Sequence, residues 1–354
     1  MDFIRITKRD NLSRKKEILI TLLAIVLSIV FAGIILLIFG LNPFEIFKEI
    51  IMGSIGTGLR VKQTIVKAVP LIITSMGIIV AFKMKFWNIG AEGQITMGAL
   101  GASWVALNLS PNLPQPVMLL LMMVGAAVCG GIWAFIPAIF KAKLGTNETI
   151  FTLMMNYVAI KFVTYLQYGP WMDPAANGFP KIAMFPDNAV MPKLGGVNIG
   201  WILAILAAAF VYFFMNYTKK GYEITVVGES IETARYAGMN ISRIIVVAML
   251  ISGGLCGITG MIQASAIEKT LVYGIANGYG FTAIITAWLS KLNAGYAVAV
   301  CAVFAMLIQG GQYIQIALGV PSAVSDIVQG LILFFVLGVE FFITYRVQRK
   351  KEVK

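Results

Sequence analysis

The sequence predicts an all-α membrane protein, a polytopic helical bundle of about ten transmembrane helices. Three observations lead there. Only 12% of the 354 residues are charged, about half of the roughly 25% typical of a soluble domain. Mean hydropathy is +0.85. The first apolar run, residues 18–41, holds 24 residues without an ionisable side chain, against the ~20 that a spanning helix needs.

Taken in order, the chain begins with a basic tail, residues 1–17, carrying Arg5, Lys8, Arg9, Arg14, Lys15 and Lys16. Such a tail before an apolar run mimics a signal peptide. The run is longer than the usual ~7–15-residue apolar core, and no A-x-A site follows, so it reads as an uncleaved anchor. Further spans are expected at 64–82, 88–107, 117–140, 149–169, 199–215, 244–266, 279–290, 295–318 and 323–345. The eighth is short and reads as a half-helix or a broken span. Residues 18–345 then form a single transmembrane domain, and 346–354 a second basic tail.

A formal charge of +12 raises the question of nucleic acid, and its distribution answers it. With the N-terminus in the cytosol, alternation of ten spans places 20 of the 28 basic residues inside and seven outside, with Lys161 within a span. This satisfies the positive-inside rule, and the flipped orientation violates it. The charge is therefore a topology signal, with both termini cytosolic and no nucleic-acid partner expected.

Enzymatic chemistry has little to work with. There is no histidine, and Cys129, Cys256 and Cys301 sit at scattered positions in apolar runs. That removes the commonest general base and zinc ligand and leaves no metal or disulfide framework. Nor is there a G-x-x-x-x-G-K-[ST] motif, so any phosphate-cradling loop belongs to another chain.

Two loops are long. Residues 170–198, expected outside, carry five prolines, three glycines and Trp171 among apolar residues, the composition of an ordered cap with little helix. Residues 216–243, expected inside, read NYTKKGYEITVVGESIETARYAGMNISR. Ile224, Val226 and Val227 form a β-type run that Gly228 interrupts. Ser230 is then an N-cap, Glu232 lies in the first turn, Arg235 in the last, and Gly238 is a C′ stop. The spacing predicts a helix of about two turns over 231–237, with Ile231, Ala234 and Ala237 on one face. So short a helix is marginal alone in water and needs contacts to the membrane domain or to a partner. It is either a solvated connector or a docking helix for a cytosolic partner.

The stretch GYEITVVGESIETARYAGMNISR closely resembles the cytoplasmic coupling loop of ABC-importer permeases for simple sugars, nucleosides and branched-chain amino acids. FWNIGAEGQITMGALGA (86–102) resembles the N-[IL]-G-x-E-G-Q segment of the simple-sugar and nucleoside branch. GYGFTAIITAWLSKLNAG (278–295) resembles that family's GYGF segment. One departure is visible: Ser290–Lys291–Leu292–Asn293–Ala294 replaces the usual Gly and Pro. The resemblance implies a type II-like ABC importer transmembrane domain in the cytoplasmic membrane. It implies a permease with no cofactor of its own, ATP and Mg residing on a partner ATPase subunit. The further partners implied are a second permease subunit, a paralogue here, and an extracellular substrate-binding lipoprotein. It also assigns Glu229, Ser230, Ile231, Glu232, Ala234, Arg235, Tyr236 and Gly238 to ATPase coupling.

Polar groups within the bilayer are costly and point to function. Glu92 lies seven residues past Lys85, about 10 Å along a helix, with Asn88 and Gln94 beside it in a glycine-rich setting. Two readings stand: a substrate pathway, or close helix packing with Glu92 capping a neighbouring helix end or bonding Asn88. A second set comprises Asn156, Gln167, Gln263, Gln309, Gln312 and Gln315, with Tyr157, Tyr165, Trp288 and Tyr313. Amides can hydrogen-bond sugar hydroxyls or base edges, and aromatic faces can stack on rings; equally, the amides can bond across helices. The candidate pathway is Asn88, Glu92, Gln94, Asn156, Gln263, Trp288, Gln309 and Gln312. Asp326 and Glu340 read as interfacial. The function expected is permeation of a nucleoside, with simple sugars second. The rivals are an ion-coupled secondary transporter and a membrane enzyme acting on lipid-linked substrates.

Overall fold

The computed structural model describes residues 4–8, 14–109, 111–321 and 345–349, with isolated positions between 324 and 338. It forms two compact units, one made of Met1–Thr64 and Met306–Lys354, the other of Ile65–Ala305.

In the smaller unit, α1 (Arg14–Ile38) is followed by α2 (Pro43–Ile55). Sequence reasoning left 43–55 unassigned, although its start is locally specified. Asn42 is the N-cap, its side chain accepting from the Phe44 N–H at 3.1 Å, and Pro43 fills the first helical position, where a missing N–H costs nothing. The segments Val26–Ile38 and Pro43–Ile55 are bent by 117°. Leu36, Ile46, Ile50 and Ile314 are buried together in this unit's core. Strands β1 (Ile4–Lys8) and, at the other end of the chain, Tyr345–Arg349 pair antiparallel, Ile4 opposite Arg349 and Lys8 opposite Tyr345. The two tails therefore lie side by side. The last expected span, 323–345, and Glu340 fall largely outside the described residues; Asp326 is exposed.

The chain continues through α3 (Gly58–Lys83), α4 (Ala91–Asn108), α5 (Gln115–Leu144) and α6 (Glu148–Tyr168). The long loop that follows holds β2 (Lys193–Leu194) and β3 (Val197–Asn198) and leads into α7 (Gly200–Tyr217). Then follow α8 (Lys219–Glu229), α9 (Ile231–Tyr236) and α10 (Ile241–Ile262), which runs into a π-helical turn, Gln263–Glu268. The last described helices are α11 (Tyr279–Leu289) and α12 (Ala294–Leu318).

The core of the larger unit is the packing of α4, α5 and α10. Their backbones come close because the crossings are lined by Gly98, Gly130 and Gly257, where a Cβ would strike the facing chain. Small residues at such crossings maximise van der Waals contact where no hydrophobic force separates helix from lipid.

Among the described residues six helices are long and apolar enough to cross a membrane, or seven if the bent pair counts as one span. The expected count of about ten is not confirmed among these residues. The third span begins at Ala91, not at residue 88, because residues 86–90 are not helical; the estimate of Glu92 depth along a continuous helix falls with it. Helix α4 is buried along most of its length, so its small and polar residues face protein and not lipid. The eighth is an 11-residue half-helix. The other boundaries that fall on described residues agree within six residues, the largest offset being the start of α3 at Gly58 and not at residue 64.

Residues 170–198 form the ordered cap expected. Met172 bridges Ile182, and β2 pairs β3 through Gly195 and Gly196, φ 65° and 84°, the two left-handed residues of a type I′ hairpin. Ile182, Phe185, Ala189 and Met191 are buried beneath it.

Candidate functional site

Two places in the larger unit carry the candidate residues. The first is α9. Ser230 is extended (φ −155°, ψ 115°), and its Oγ accepts from the Thr233 N–H at 3.2 Å, a cap worth about 1 kcal/mol. At the other end the Gly238 N–H donates to Arg235 O and the Met239 N–H to Ala234 O, both at 3.0 Å, with Gly238 at φ 70°. That is the paired bonding of a Schellman stop, in which a left-handed residue is required. Glu232 and Arg235 lie 3.4 Å apart, a solvent-exposed pair worth about 0.3–0.5 kcal/mol.

Of the face that holds Ile231, Ala234 and Ala237, only Ala234 is buried; Ala237 is exposed and Ile231 is 51% exposed, and Tyr236 beside them is 92% exposed. The helix is anchored by one small residue and presents an isoleucine, a tyrosine and an ion pair outward. Glu229 ends the preceding helix.

The segment before α9 corrects the sequence reading. Residues 224–227 are not a strand but belong to α8, which Thr218 caps through the Gly221 N–H at 3.1 Å. Glu223, Ile224, Val227 and Gly228 are its buried face, a helical spacing. Gly228 packs against the backbone of Lys83 with no room for a Cβ. Burial of that face overrides the β preference of Ile and Val.

The second place is the turn into α4. The Asn88 and Gln94 amides are fully buried and bond each other twice, Asn88 Nδ2 to Gln94 Oε1 at 3.2 Å and Gln94 Nε2 to Asn88 Oδ1 at 3.0 Å. Asn88 Nδ2 also donates to Ser252 Oγ of α10 at 3.1 Å. From α6, Asn156 accepts from the Gly93 N–H and donates to Ile89 O, both at 2.8 Å. Its partner on the same helix, Thr152, accepts from the Ile89 N–H at 3.1 Å.

Glu92 reaches the opposite way. One carboxylate oxygen accepts from the Gly278 N–H at 2.6 Å and the other from the Gly280 N–H at 2.7 Å. These are orphan donors at the start of α11, so Glu92, itself in the first turn of α4, sits on two positive helix ends at once. Such satisfaction is what a buried carboxylate requires.

Asn88, Glu92, Gln94 and Asn156 are thus brought together around the start of α4, tying it to α10, α6 and α11. Trp288 lies elsewhere, on α11, its ring 5.2 Å from Trp87 and 6.2 Å from Phe82. Gln263 opens the π-helical turn and bonds the Tyr279 hydroxyl. Gln167 bridges Pro180 O and the Tyr273 N–H at 2.8 and 2.9 Å. Tyr157 and Tyr165 are exposed. In the smaller unit Gln309 donates to Gln63 Oε1 at 3.1 Å and Gln312 is exposed. There too the Arg60 guanidinium lies 4.0 Å over the Tyr313 ring and donates to its hydroxyl at 2.8 Å.

Sequence reasoning missed the partners of Glu92. Gly278 and Gly280 act through backbone N–H groups, and the signal that could have found them is the G-Y-G run itself. Two glycines flanking a tyrosine before an apolar run leave amides open to a close acceptor.

Comparison with known proteins agrees with this architecture. The family described as branched-chain amino acid transport system / permease component matches residues 60–337. Three relatives align along nearly the whole chain. A glucose ABC transporter permease of Haloferax volcanii is 33% identical over 92% of this chain and 88% of its own length. A guanosine ABC transporter permease of Bacillus subtilis is 32% identical over 91% and 94%. A nucleoside ABC transporter permease of Lactococcus lactis is 29% identical over 97% and 96%. With the N-I-G-A-E-G-Q segment and the capped α9 in place, the chain belongs to that permease family, in its simple-sugar and nucleoside branch, as a multi-pass protein of the cell membrane.

Proposed function

We propose that this chain is one permease subunit of an ATP-binding cassette importer that carries a nucleoside or a simple sugar. An extracellular lipoprotein delivers the solute, a paralogous permease completes the pathway, and separate ATPase subunits holding ATP and Mg drive it. The observation that carries the reading is α9. Its two ends are capped, its single buried residue is Ala234, and its outward face offers Ile231, Tyr236 and the Glu232–Arg235 pair. A six-residue helix would not persist in water on local propensity alone. Its fixed shape and exposed aromatic suit insertion into a groove on a neighbour.

ATP binding closes the ATPase pair, moves α9, and through α8 and its contact with the end of α3 shifts the spans between outward and inward access. Both tails lie in the cytosol, a placement supported by the basic-residue distribution and by the pairing of the two ends. The guanosine, nucleoside and glucose transporters among the relatives support the solute class. The ion-coupled alternative needs a carboxylate free to exchange its ion, whereas both oxygens of Glu92 are committed to backbone amides, which favours the ATP-driven reading.

The test is reconstitution of the chain with its ATPase, companion permease and lipoprotein, followed by uptake of labelled guanosine, uridine and glucose. ATP-dependent accumulation of one of them is expected. Accumulation against a gradient by the purified chain alone, or uptake that survives ATP depletion while a proton gradient persists, would overturn the reading.

A further inference from the structure

An importer's solute must first be met on the outer side, and one cavity of the larger unit has the chemistry for it. We infer that the cavity of about 160 Å³ among α3, the π-helical turn and the start of α11 is a contact site for the hydroxyl-bearing ring of the solute, a pentose or a hexose. The inference rests on the importer reading above and names the site that reading lacks.

Its position comes first. The segment that walls the cavity is tied to the outer cap. Ser265 Oγ donates to Ala189 O at 2.6 Å, Thr270 Oγ1 to Ile182 O at 3.0 Å, and the Phe185 N–H to Lys269 O at 2.9 Å. The cavity therefore opens beneath the loop on which a delivering protein would sit.

Its backbone is unusual in two independent ways. Helix α10 ends in a π-helical turn, Gln263–Glu268, a rare geometry that recurs at functional sites. The ten residues that follow hold four left-handed positions, Lys269, Gly274, Asn277 and Gly278, two of them not glycine. Such conformations persist only where the surroundings impose them, and they cluster at ligand sites.

Its lining matches a neutral polyol. Lys67 and Glu268 face the cavity with opposite charges, so the site holds no net charge to repel or trap a neutral solute. Lys67 can only donate and Glu268 only accept, while the Gln263 and Asn277 amides do both. A sugar hydroxyl is also both donor and acceptor. Tyr279, bonded to Gln263, fixes one amide, and Ile275 supplies an apolar wall for the C–H face of the ring. The volume is below the ~300 Å³ at which pockets begin to hold drug-sized ligands. It suits a single ring and leaves a nucleobase outside.

The experiment uses the assembled importer in proteoliposomes, with labelled guanosine, uridine and glucose as separate probes, the two nucleosides against glucose distinguishing pentose from hexose. Lys67→Met and Asn277→Ala should each lower uptake of the probe that the wild type carries by about tenfold, the loss expected for one hydrogen bond involving a charged or desolvated group. In a second measurement, Asn277→Cys should react with a membrane-impermeant thiol reagent. That reaction should slow about tenfold, by the same measure, when loaded lipoprotein is present, and not with empty lipoprotein. Uptake within twofold of wild type in both variants, or alkylation indifferent to solute, overturns the assignment and leaves the importer reading standing. Full uptake in the exchanged pair Lys67→Glu with Glu268→Lys also overturns it, since two charges that only brace each other survive a swap. A wild type that carries none of the three probes takes down the importer reading and this assignment together.

Discussion

Glu92 and Gly280 are 188 residues apart in sequence, and the carboxylate of one accepts the backbone N–H of the other at 2.7 Å. With the Gly278 bond at 2.6 Å, this makes one side chain the N-terminal cap of a half-helix that has no cap of its own; Gly278 offers no side chain for the role. The residue that sequence reasoning placed in either a pathway or a packing role commits both its oxygens to protein. Glu92→Ala should cost about 3 kcal/mol, since it strands two buried donors, and Glu92→Gln about half of that, because one acceptor survives. Thermal unfolding of the detergent-purified chain measures both. Wild-type stability in both variants would show that the bonds to α11 contribute nothing.

Gly280 tests the same contact from the other side. A Cβ there would clash with the Glu92 backbone nitrogen and carboxylate, and neither can move without releasing α4 or α11. Gly280→Ala should therefore be as damaging as Glu92→Ala, about 3 kcal/mol by the overpacking seen in full cores. The double variant should be little worse than either single one. Additive losses in a double-mutant cycle would mean the two residues act separately.

At α9 stability and coupling separate cleanly. Ser230→Ala removes the cap and should cost about 1 kcal/mol. Tyr236→Ala removes a side chain that is 92% exposed, so it should leave the melting curve of the isolated chain unchanged. On the proposed docking role, Tyr236→Ala should weaken co-purification of the ATPase by about 30-fold, the scale of an interface hot spot of about 2 kcal/mol. Charge reversal at Glu232 and Arg235 should lower uptake while membrane insertion persists. Undiminished ATPase binding in Tyr236→Ala would remove α9 as the docking element.

These sites show which features were legible. Helix α9 could be read because caps are local: Ser230 and Gly238 act within three residues of themselves. The long spans could be read because a bilayer demands length and apolarity from each segment separately. Helix α8 could not, since its Ile and Val content favours a strand and only burial against Lys83 decides otherwise. The count of spans goes unconfirmed where a helix is sheltered by its neighbours. Helix α4 is surrounded by α5, α6 and α10, so its composition follows packing and not lipid. Asn88 and Gln94 were singled out as polar groups beside Glu92, but which groups satisfy those amides is a three-dimensional fact. Ser252 and Asn156 lie 164 and 63 residues from the groups they bond.

Lys85 poses a conflict that composition hides. It is the left-handed residue (φ 57°) that stops α3, with its N–H on Phe82 O at 2.9 Å and the Phe86 N–H on Ala81 O at 3.2 Å. The arrangement is repeated at Lys291 after α11, φ 53°. Glycine is the usual occupant of such a stop, since any other residue meets a cost of roughly 1–2 kcal/mol there. Glycine itself loses about 0.5–1 kcal/mol through its freer unfolded chain. Lys85→Gly should therefore raise stability by about 0.5–1 kcal/mol, read as a higher melting temperature. The proposed topology places the lysine's charge at the cytosolic face, where basic residues set orientation. With 19 basic residues still inside against seven outside, the single variant should keep its orientation in a reporter fusion. Combined with neutral replacements of Lys83, Lys141 and Lys143, it should begin to yield inverted molecules. A destabilised Lys85→Gly would mean that the lysine side chain holds the turn through contacts worth more than the backbone strain.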